Sequence, residues 1–249
     1  MRIRISGGLA VVAGSIVFIS ATGCSQTVNP GAPRTMAQPQ KLDVVCINVN
    51  GANDLPILQP EPVPEDLCSP IPANTSSSAM QYHLFAVVTQ RLRGELAVID
   101  VTAATVVDED RTTPGINFIP VGIQPTDVVV APDGRLTFVS TAADGMAGID
   151  VIDNRHLLGD WTGTGQYPIG LSDEMGCSLP GLPMALATVP APASADPSAS
   201  TYQIVALLAG SGASPATIVT IDPTPFETEL TEDGGAVPGA AEVELTLGG

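Results

Sequence analysis

The chain has 249 residues, and its 26 Asp and Glu against 9 Lys and Arg give a formal net charge of −17. This charge disfavours DNA and RNA as partners, because nucleic-acid binding depends on basic patches. The 25 Gly, the 23 Pro and a charged fraction of 14% favour turns and short strands over long exposed helices, while 44% apolar residues exclude a wholly disordered chain.

The N-terminus has the layout of a secretory signal. Arg2 and Arg4 precede an apolar run from Ile5 to Ala21. The run ends in Ala21-Thr22-Gly23-Cys24, which resembles the lipobox of bacterial lipoproteins, with Ala21 in place of the commoner Leu. The resemblance implies that residues 1–23 are a signal peptide and that Cys24 carries the lipid. An ordinary signal peptide with an incidental cysteine, or an uncleaved anchor helix, is the alternative.

The signal would export the protein. Lipidation would then hold it on a membrane without spanning it, since acyl chains anchor proteins durably when more than one is attached. Ser25 differs from the Asp that is associated with inner-membrane retention, so the resemblance implies the outer membrane. Loss of Arg2 and Arg4 with the signal takes the net charge from −17 to −19. An anionic membrane should therefore repel the domain as a whole.

Residues 24–43 are predicted to form the lipidated N-terminus and a disordered tether. The stretch from Ser25 to Lys41 contains three Pro, no aromatic residue and little apolar content. Random-coil scaling gives such a tether a span of about 20–25 Å.

Three cysteines remain once Cys24 is assigned to lipid. Cys46 and Cys68 lie 22 residues apart and bracket a Pro-rich stretch, so they are predicted to form a disulfide within a loop-rich segment at residues 44–83. Cys177 is left as a free thiol, an intermolecular partner or a cysteine whose partner is missing. The absence of a CxxC pair and the presence of only His83 and His156 disfavour zinc and haem sites.

Residues 84–249 are predicted to consist of repeated short strands. One strand type ends in Asp, and the three examples are GELAVID to Asp100, MAGIDVID to Asp153 and ATIVTID to Asp222. A second type precedes each of these, namely LFAVVTQ, LTFVSTA and QIVALLA. A third type is bounded by proline, as in PTDVVVAP and PMALATVP. The repeated aspartates are predicted to cap turns, and Pro132-Asp133-Gly134-Arg135 is predicted to be a hairpin turn.

The segment from Gly94 to Thr141 resembles the YVTN-type repeat of β-propellers, with GELAVIDVT followed by IPVGIQPTDVVVAPDGRLTFVST. The resemblance implies an all-β fold in which residues 84–249 form a partial, about three-blade propeller-like repeat domain. A generic β-sandwich is the alternative. Because propellers use about four to eight blades, we expect the chain to be the N-terminal part of a longer propeller, or to close by association with another chain.

The sequence assigns no catalytic residue and no resident cofactor. It contains no G-x-S-x-G nucleophile elbow, P-loop, zincin helix or haem attachment site. His83 and His156 are interpreted as ordinary surface or turn histidines. Trp161 and Tyr167 are interpreted as a packing pair, with a sugar or peptide platform as the alternative.

Acidic clusters are the remaining candidates for chemistry. They are interpreted as solvated surface charge, with bound Ca²⁺ as the minor alternative. The clusters are Asp108-Glu109-Asp110, the pair Asp150 and Asp153, and the group Glu227, Glu229, Glu232 and Asp233.

The expected function is a membrane-anchored, extracytoplasmic binding or interaction module of the bacterial envelope, with a protein or glycan partner. Two alternatives stay open, because a propeller fold does not determine function. One is a propeller enzyme of lactonase or quinoprotein type, which would need converging carboxylate and histidine side chains. The other is a structural component of the envelope.

Overall fold

The computed structural model describes residues 36–49, 61–68, 81–109, 115–143, 146–158, 176–194, 196, 199–210, 215–231 and 246–247. The predicted all-β class is confirmed, since this part of the chain folds into three antiparallel sheets with one short α-helix. No helix within these ranges is both long enough and apolar enough to cross a bilayer.

The first sheet has the strand order β2-β1-β3-β4-β5, and β6 also pairs with β4. Its strands are β1 (Pro39–Asn48), β2 (Glu61–Val63), β3 (Tyr82–Gln90), β4 (Glu95–Asp100), β5 (Thr105–Val106) and β6 (Ile119–Pro120). Cys46 lies opposite Leu84, and Phe85 lies opposite Asp100. A 3₁₀ turn at Glu65–Cys68 packs beside β1.

The second and third sheets each have four strands that follow one another along the chain. The second contains β7 (Pro125–Val130), β8 (Leu136–Ala143), β9 (Met146–Asp153) and β10 (Gly176–Ser178). The third contains β11 (Pro183–Pro190), β12 (Tyr202–Leu208), β13 (Thr217–Ile221) and β14 (Thr246–Leu247). The three predicted strand types are therefore present as neighbouring strands in both of these sheets.

The predicted boundaries near the N-terminus are wrong. Strand β1 starts at Pro39, inside the predicted tether of residues 24–43, and it is an integral strand of the first sheet. Residues 44–83, predicted to be loop-rich, contain half of β1, all of β2 and the start of β3. The first residues of β1 are polar and exposed, so they carry no apolar pattern, and it is backbone pairing with β3 that makes them a strand.

Two apolar layers hold the three sheets together. The layer between the first and second sheets is formed by buried side chains from both, including Val45, Ile47, Phe85, Val98, Val139 and Ile152. The layer between the second and third sheets includes Phe138, Val151, Leu186, Ile204 and Val219. Each sheet thus buries one face against the next, and the second sheet buries both faces.

A half-buried carboxylate and a buried one also join successive sheets through their first strands. Asp43 Oδ2 on β1 accepts a hydrogen bond from Val130 N on β7 at 2.7 Å. Asp127 Oδ2 on β7 accepts one from Leu186 N on β11 at 2.9 Å. In both cases Oδ1 accepts from the backbone N–H of the next residue. We call these two contacts the forward links, because the acceptor always precedes the donor in the chain.

The aspartates at the ends of the Asp-terminated strand type cap turns, as predicted. Asp153 Oδ1 accepts from Arg155 N at 2.9 Å, and Asp222 Oδ1 accepts from Thr224 N at 2.9 Å. Asp100 Oδ1 accepts from Ala103 N at 2.8 Å, one residue further on. These carboxylates satisfy backbone donors that the ladder leaves free.

The predicted hairpin turn between β7 and β8 is also confirmed. Gly134 N donates to Ala131 O at 2.8 Å, and Arg135 N donates to Asp133 Oδ1 at 3.0 Å. Gly134 has a φ of +79°, and a Cβ there would lie 2.7 Å from Val63 O. Both the backbone conformation and the close approach of β2 require glycine at this position.

Helix α1 (Thr224–Thr231) was not predicted, because its acidic residues were interpreted as surface charge. Its start is capped by Asp222, whose Oδ1 also accepts from Thr224 Oγ1 at 2.6 Å. Phe226 is buried against Phe138, with ring centroids 6.3 Å apart. The helix therefore closes one end of the layer between the second and third sheets.

Candidate functional site

The candidate site lies at the edge of the sheets where β1, β7 and β11 begin, which we call the amino edge. In the first sheet this edge contains Pro39, Gln90, Glu95 and Pro120, which lie beside one another in the strand register. The turn between β3 and β4 and the loop from β6 into β7 also lie here. We call the opposite edge, where these first strands end, the carboxyl edge.

A crevice of about 340 Å³ opens at the amino edge between that turn and that loop. It is lined by Arg91, Leu92, Arg93, Gly94, Val121, Ile123 and Gln124. Its volume is at the lower end of the range of small-molecule sites in proteins. The residues that line the crevice thus include two arginines as well as apolar residues.

Close backbone packing fixes the two walls of the crevice. Val121 N donates to Gly94 O at 2.8 Å, and a Cβ on Gly94 would lie 3.1 Å from Val121 O. Gly94 has a φ of +62°, so this turn position favours glycine for conformation as well as for space. Gly122 N donates to Asp150 Oδ2 at 2.7 Å, which joins the loop to β9.

Two glutamines at the amino edge have an unusual backbone conformation. Gln38 and Gln124 have φ of 55° and 54°, and each precedes the proline that starts a first strand. The residue before a proline is normally extended, and positive φ outside glycine costs about 1–3 kcal/mol. Ala142 N, at 3.3 Å from both Ile123 O and Gln124 O, holds the second of these positions. The strain is repeated in two sheets, beside the crevice.

The cationic side chains of the crevice are available to a ligand. Arg91 is half-buried and Arg93 is exposed. Among the described residues, neither guanidinium makes a hydrogen bond or an ion pair. Lys41 is exposed on the neighbouring β1, where its backbone N and O both bond Thr89 Oγ1.

Large apolar side chains surround these charges. Leu92 is 68% exposed, Ile123 is 60% exposed, and Leu42 beside Lys41 is 65% exposed. Leu92 and Ile123 both line the crevice, so exposed apolar surface lies on both of its walls.

Sequence reasoning missed a buried histidine–carboxylate pair at the carboxyl edge. His83 Nδ1 lies 2.7 Å from Asp100 Oδ2, and both side chains are 11% exposed. The imidazole also stacks on Phe85, with ring centroids 6.2 Å apart. An ionised carboxylate only accepts hydrogen bonds, so Asp100 orients the ring with Nδ1 as the donor.

The interpretation of His83 as a surface or turn residue is therefore wrong. Counting outward from the turn at 91–94 places His83 and Asp100 on adjacent strands, close to one another. This strand register could have been used to predict the pair from the sequence. It lies at the edge opposite the crevice, so the two features do not form one site.

The predicted disulfide is confirmed, since Cys46 and Cys68 are bonded with their Cα atoms 5.7 Å apart. It ties β1 to the 3₁₀ turn at Glu65–Cys68. Cys177 on β10 is a free, partly buried thiol beside Ile149. Burial, and then the nearby Asp150 carboxylate, raise the pKa of Cys177 to about 11.

Alkylation of Cys177 should therefore be slow at neutral pH and should keep rising with alkali. Only the thiolate reacts, so the iodoacetamide rate is expected to increase about tenfold per pH unit up to about pH 10, whereas an ordinary thiol levels off near pH 9. The measurement uses a Cys24→Ser chain, in which Cys177 is the one free thiol, with N-acetylcysteine as the reference. A rate that levels off near pH 9 would contradict the burial of the Cys177 thiol near the Asp150 carboxylate.

The acidic clusters make local contacts where they are described. Asp108 Oδ1 accepts from Asn117 N at 2.9 Å, and Asp153 forms an ion pair with Arg155 at 2.6 Å. Within the described ranges, no group of three or more His, Cys, Asp or Glu side chains is placed to hold a metal ion. Several predicted residues lie outside the described residues: Cys24, Asp110, Trp161, Tyr167, Glu232 and Asp233.

No protein-family model and no curated protein matches this chain. Among solved structures, hydrazine synthase from Kuenenia stuttgartiensis is similar over 57% of this chain, with 19% sequence identity and a TM-score of 0.37. The match covers 31% of that protein's chain, so this chain spans about a third of its length. A likeness at this level carries no argument about fold or function.

Proposed function

We propose that this protein is an exported binding module of a bacterial cell envelope, anchored to a membrane by lipid on Cys24. The observation that carries the binding role is the open crevice at the amino edge, which is lined by two arginines whose guanidinium groups have no partner among the described residues. An apolar crevice with a few convergent polar groups is the usual form of a ligand site.

The disulfide supports the extracytoplasmic part of the proposal. Structural disulfides persist in oxidising compartments and are rare in the bacterial cytosol. Cys46 and Cys68 are both buried and belong to the first sheet and its adjoining turn. The signal-like residues 1–23 point to the same compartment.

The arrangement of the sheets supports a propeller-like fold for this module. Each sheet is antiparallel, and the first strand of each lies next to the first strand of the following sheet through the forward links. Consecutive blades of a propeller also meet through their innermost strands. We therefore propose that the three sheets are successive blades.

A binding role is favoured over the enzyme alternative because the His83–Asp100 pair and the crevice lie at opposite edges of the sheets. A propeller enzyme of the expected type needs carboxylate and histidine side chains that converge in one pocket. His83 and Asp100 are almost completely buried at the carboxyl edge, whereas the crevice at the amino edge is lined by arginines.

The lipid anchor is tested by replacing the sulfur atom of Cys24, to which the lipid is attached in this proposal. In membranes washed with high salt, which screens electrostatic surface binding, a Cys24→Ser variant should move from the membrane pellet to the soluble fraction, because without acyl chains no durable attachment remains. The matched control is Cys177→Ser, which should stay in the pellet like the parent. Retention of Cys24→Ser in the pellet, to the same extent as the parent, would refute the proposal.

A further inference from the structure

Positive charge is concentrated at one edge of this acidic protein. Five of the described residues are Lys or Arg, and three of them, Lys41, Arg91 and Arg93, lie at the amino edge. The other two lie at the carboxyl edge, where Arg155 is paired with Asp153 and Arg135 follows the β7–β8 turn. The net charge of −17 therefore conceals a basic edge.

The described carboxylates near the amino edge are less exposed than Lys41 and Arg93. Asp43 and Asp150 use oxygens to accept backbone hydrogen bonds from Val130 and Gly122, each at 2.7 Å. Glu95, at the start of β4, is half-buried. Their oxygens are held within the fold, whereas Lys41 and Arg93 extend into solvent.

Among the described residues, exposed acids are found at the opposite edge. Glu61 lies opposite Asn48 at the end of β1, and Asp222 follows the end of β13, and both are exposed. The ten residues of β1 separate the two edges by about 30 Å, at the usual rise of a strand. That separation exceeds the Debye length of about 8–10 Å in physiological salt, so the acids barely affect a surface that touches the amino edge.

The basic edge also carries exposed apolar side chains. Leu42 adjoins Lys41, Leu92 lies between Arg91 and Arg93, and Ile123 forms the other wall of the crevice. Exposed cationic and apolar side chains at one edge are typical of surfaces that bind the headgroup region of a bilayer.

We infer that the amino edge docks onto an anionic lipid surface. Lys41, Arg91 and Arg93 contact headgroup phosphates, and Leu42, Leu92 and Ile123 enter the interfacial layer. This inference rests on the proposed lipid anchor. Twelve residues separate Cys24 from Met36, which packs on the first sheet just before the amino edge. Fully extended, they reach about 40 Å, so a lipidated Cys24 keeps this edge near the bilayer.

Docking is tested apart from anchoring, on the mature chain with Cys24→Ser. The probes are vesicles of phosphatidylcholine with or without phosphatidylglycerol, and bound protein is measured by flotation. The unlipidated chain should bind the anionic vesicles, lose binding as salt is raised, and bind neutral vesicles weakly. Reversing three charges, with Lys41→Glu, Arg91→Glu and Arg93→Glu, should weaken binding roughly 100-fold or more.

The control matched to the single variant Arg93→Glu is Arg135→Glu, which makes the same charge change at the carboxyl edge and should leave vesicle binding within about twofold of the parent. The single variant Arg93→Glu alters one exposed side chain and should still weaken binding several-fold, if the triple variant fails to fold. Leu92→Ser should weaken binding without changing its salt dependence.

Three results would overturn the inference. One is equal binding of the parent and the Arg93→Glu variant to anionic vesicles. Another is equal binding to neutral and anionic vesicles. The third is binding of a soluble phosphate ester, inositol hexakisphosphate, with no binding to vesicles. Failure of the anchor alone would appear only in the fractionation of Cys24→Ser, so the two proposals fail separately.

Discussion

Replacing Asp127 with Ala is expected to lower the free energy of unfolding by about 2–4 kcal/mol. The carboxylate is 7% exposed and accepts from Leu186 N in the next sheet and from Val128 N in its own strand. Alanine leaves both donors without an acceptor in a position that water reaches poorly. A buried donor that loses its partner costs more than the hydrogen bond itself contributes.

The measurement is urea unfolding at constant pH, followed by circular dichroism. Asp127→Asn should give an intermediate loss, because its one carbonyl oxygen can still accept from one of the two donors. Asp133→Ala is the matched control, since that carboxylate caps an exposed turn and its loss should cost under about 1 kcal/mol. A loss for Asp127→Ala no larger than that of the control would show that the second forward link does not hold the sheets together.

Removing the disulfide with Cys46→Ala and Cys68→Ala is expected to cost about 3 kcal/mol, the chain-entropy value for a loop of 22 residues. Alanine avoids burying new hydroxyl groups at two positions that are 1% and 7% exposed. The loss should appear as a lower urea midpoint.

Reduction of the parent protein provides an independent check, because the same bond is broken without a substitution. The reduced parent and the double variant should unfold at similar urea concentrations. Cys177→Ser serves as the control and should leave the effect of reductant unchanged. If reductant did not alter the midpoint of the parent, the bond would not stabilise the fold.

Local sequence signals predicted the parts of the fold that local chemistry decides. The strands ending at Asp153 and Asp222 could be found because an aspartate after an apolar run caps a turn two residues on. The turn at Gly134 could be found because positive φ favours glycine. The disulfide followed from the spacing of two cysteines around a stretch with little regular structure.

The missed features depend on contacts between residues that are far apart in the sequence. Lys41 lies on a strand because β1 pairs with β3, some 45 residues later, and not because of its neighbours. The crevice arises where the turn of Arg91 and Arg93 meets the loop containing Ile123. The two arginines lie in the turn of the β3–β4 hairpin, of which the sequence predicted only the two strands. Their proximity to Ile123 depends on tertiary packing, so composition could not predict it.

In both forward links the acceptor lies earlier in the chain than the donor, which favours assembly of the sheets in chain order. A chain that emerges N-terminus first completes β1 while Asp43 is still hydrated, and the Val130 donor arrives later. Asp127 is likewise in place before Leu186. The first and second sheets can therefore each form with a hydrated carboxylate on the surface, and the following sheet then packs against it. The residue of β11 that corresponds to Asp127 is Ala185, since each is the first paired residue after the bulge of its strand. Alanine has no side-chain acceptor, so among the described sheets the third has no forward link from this position.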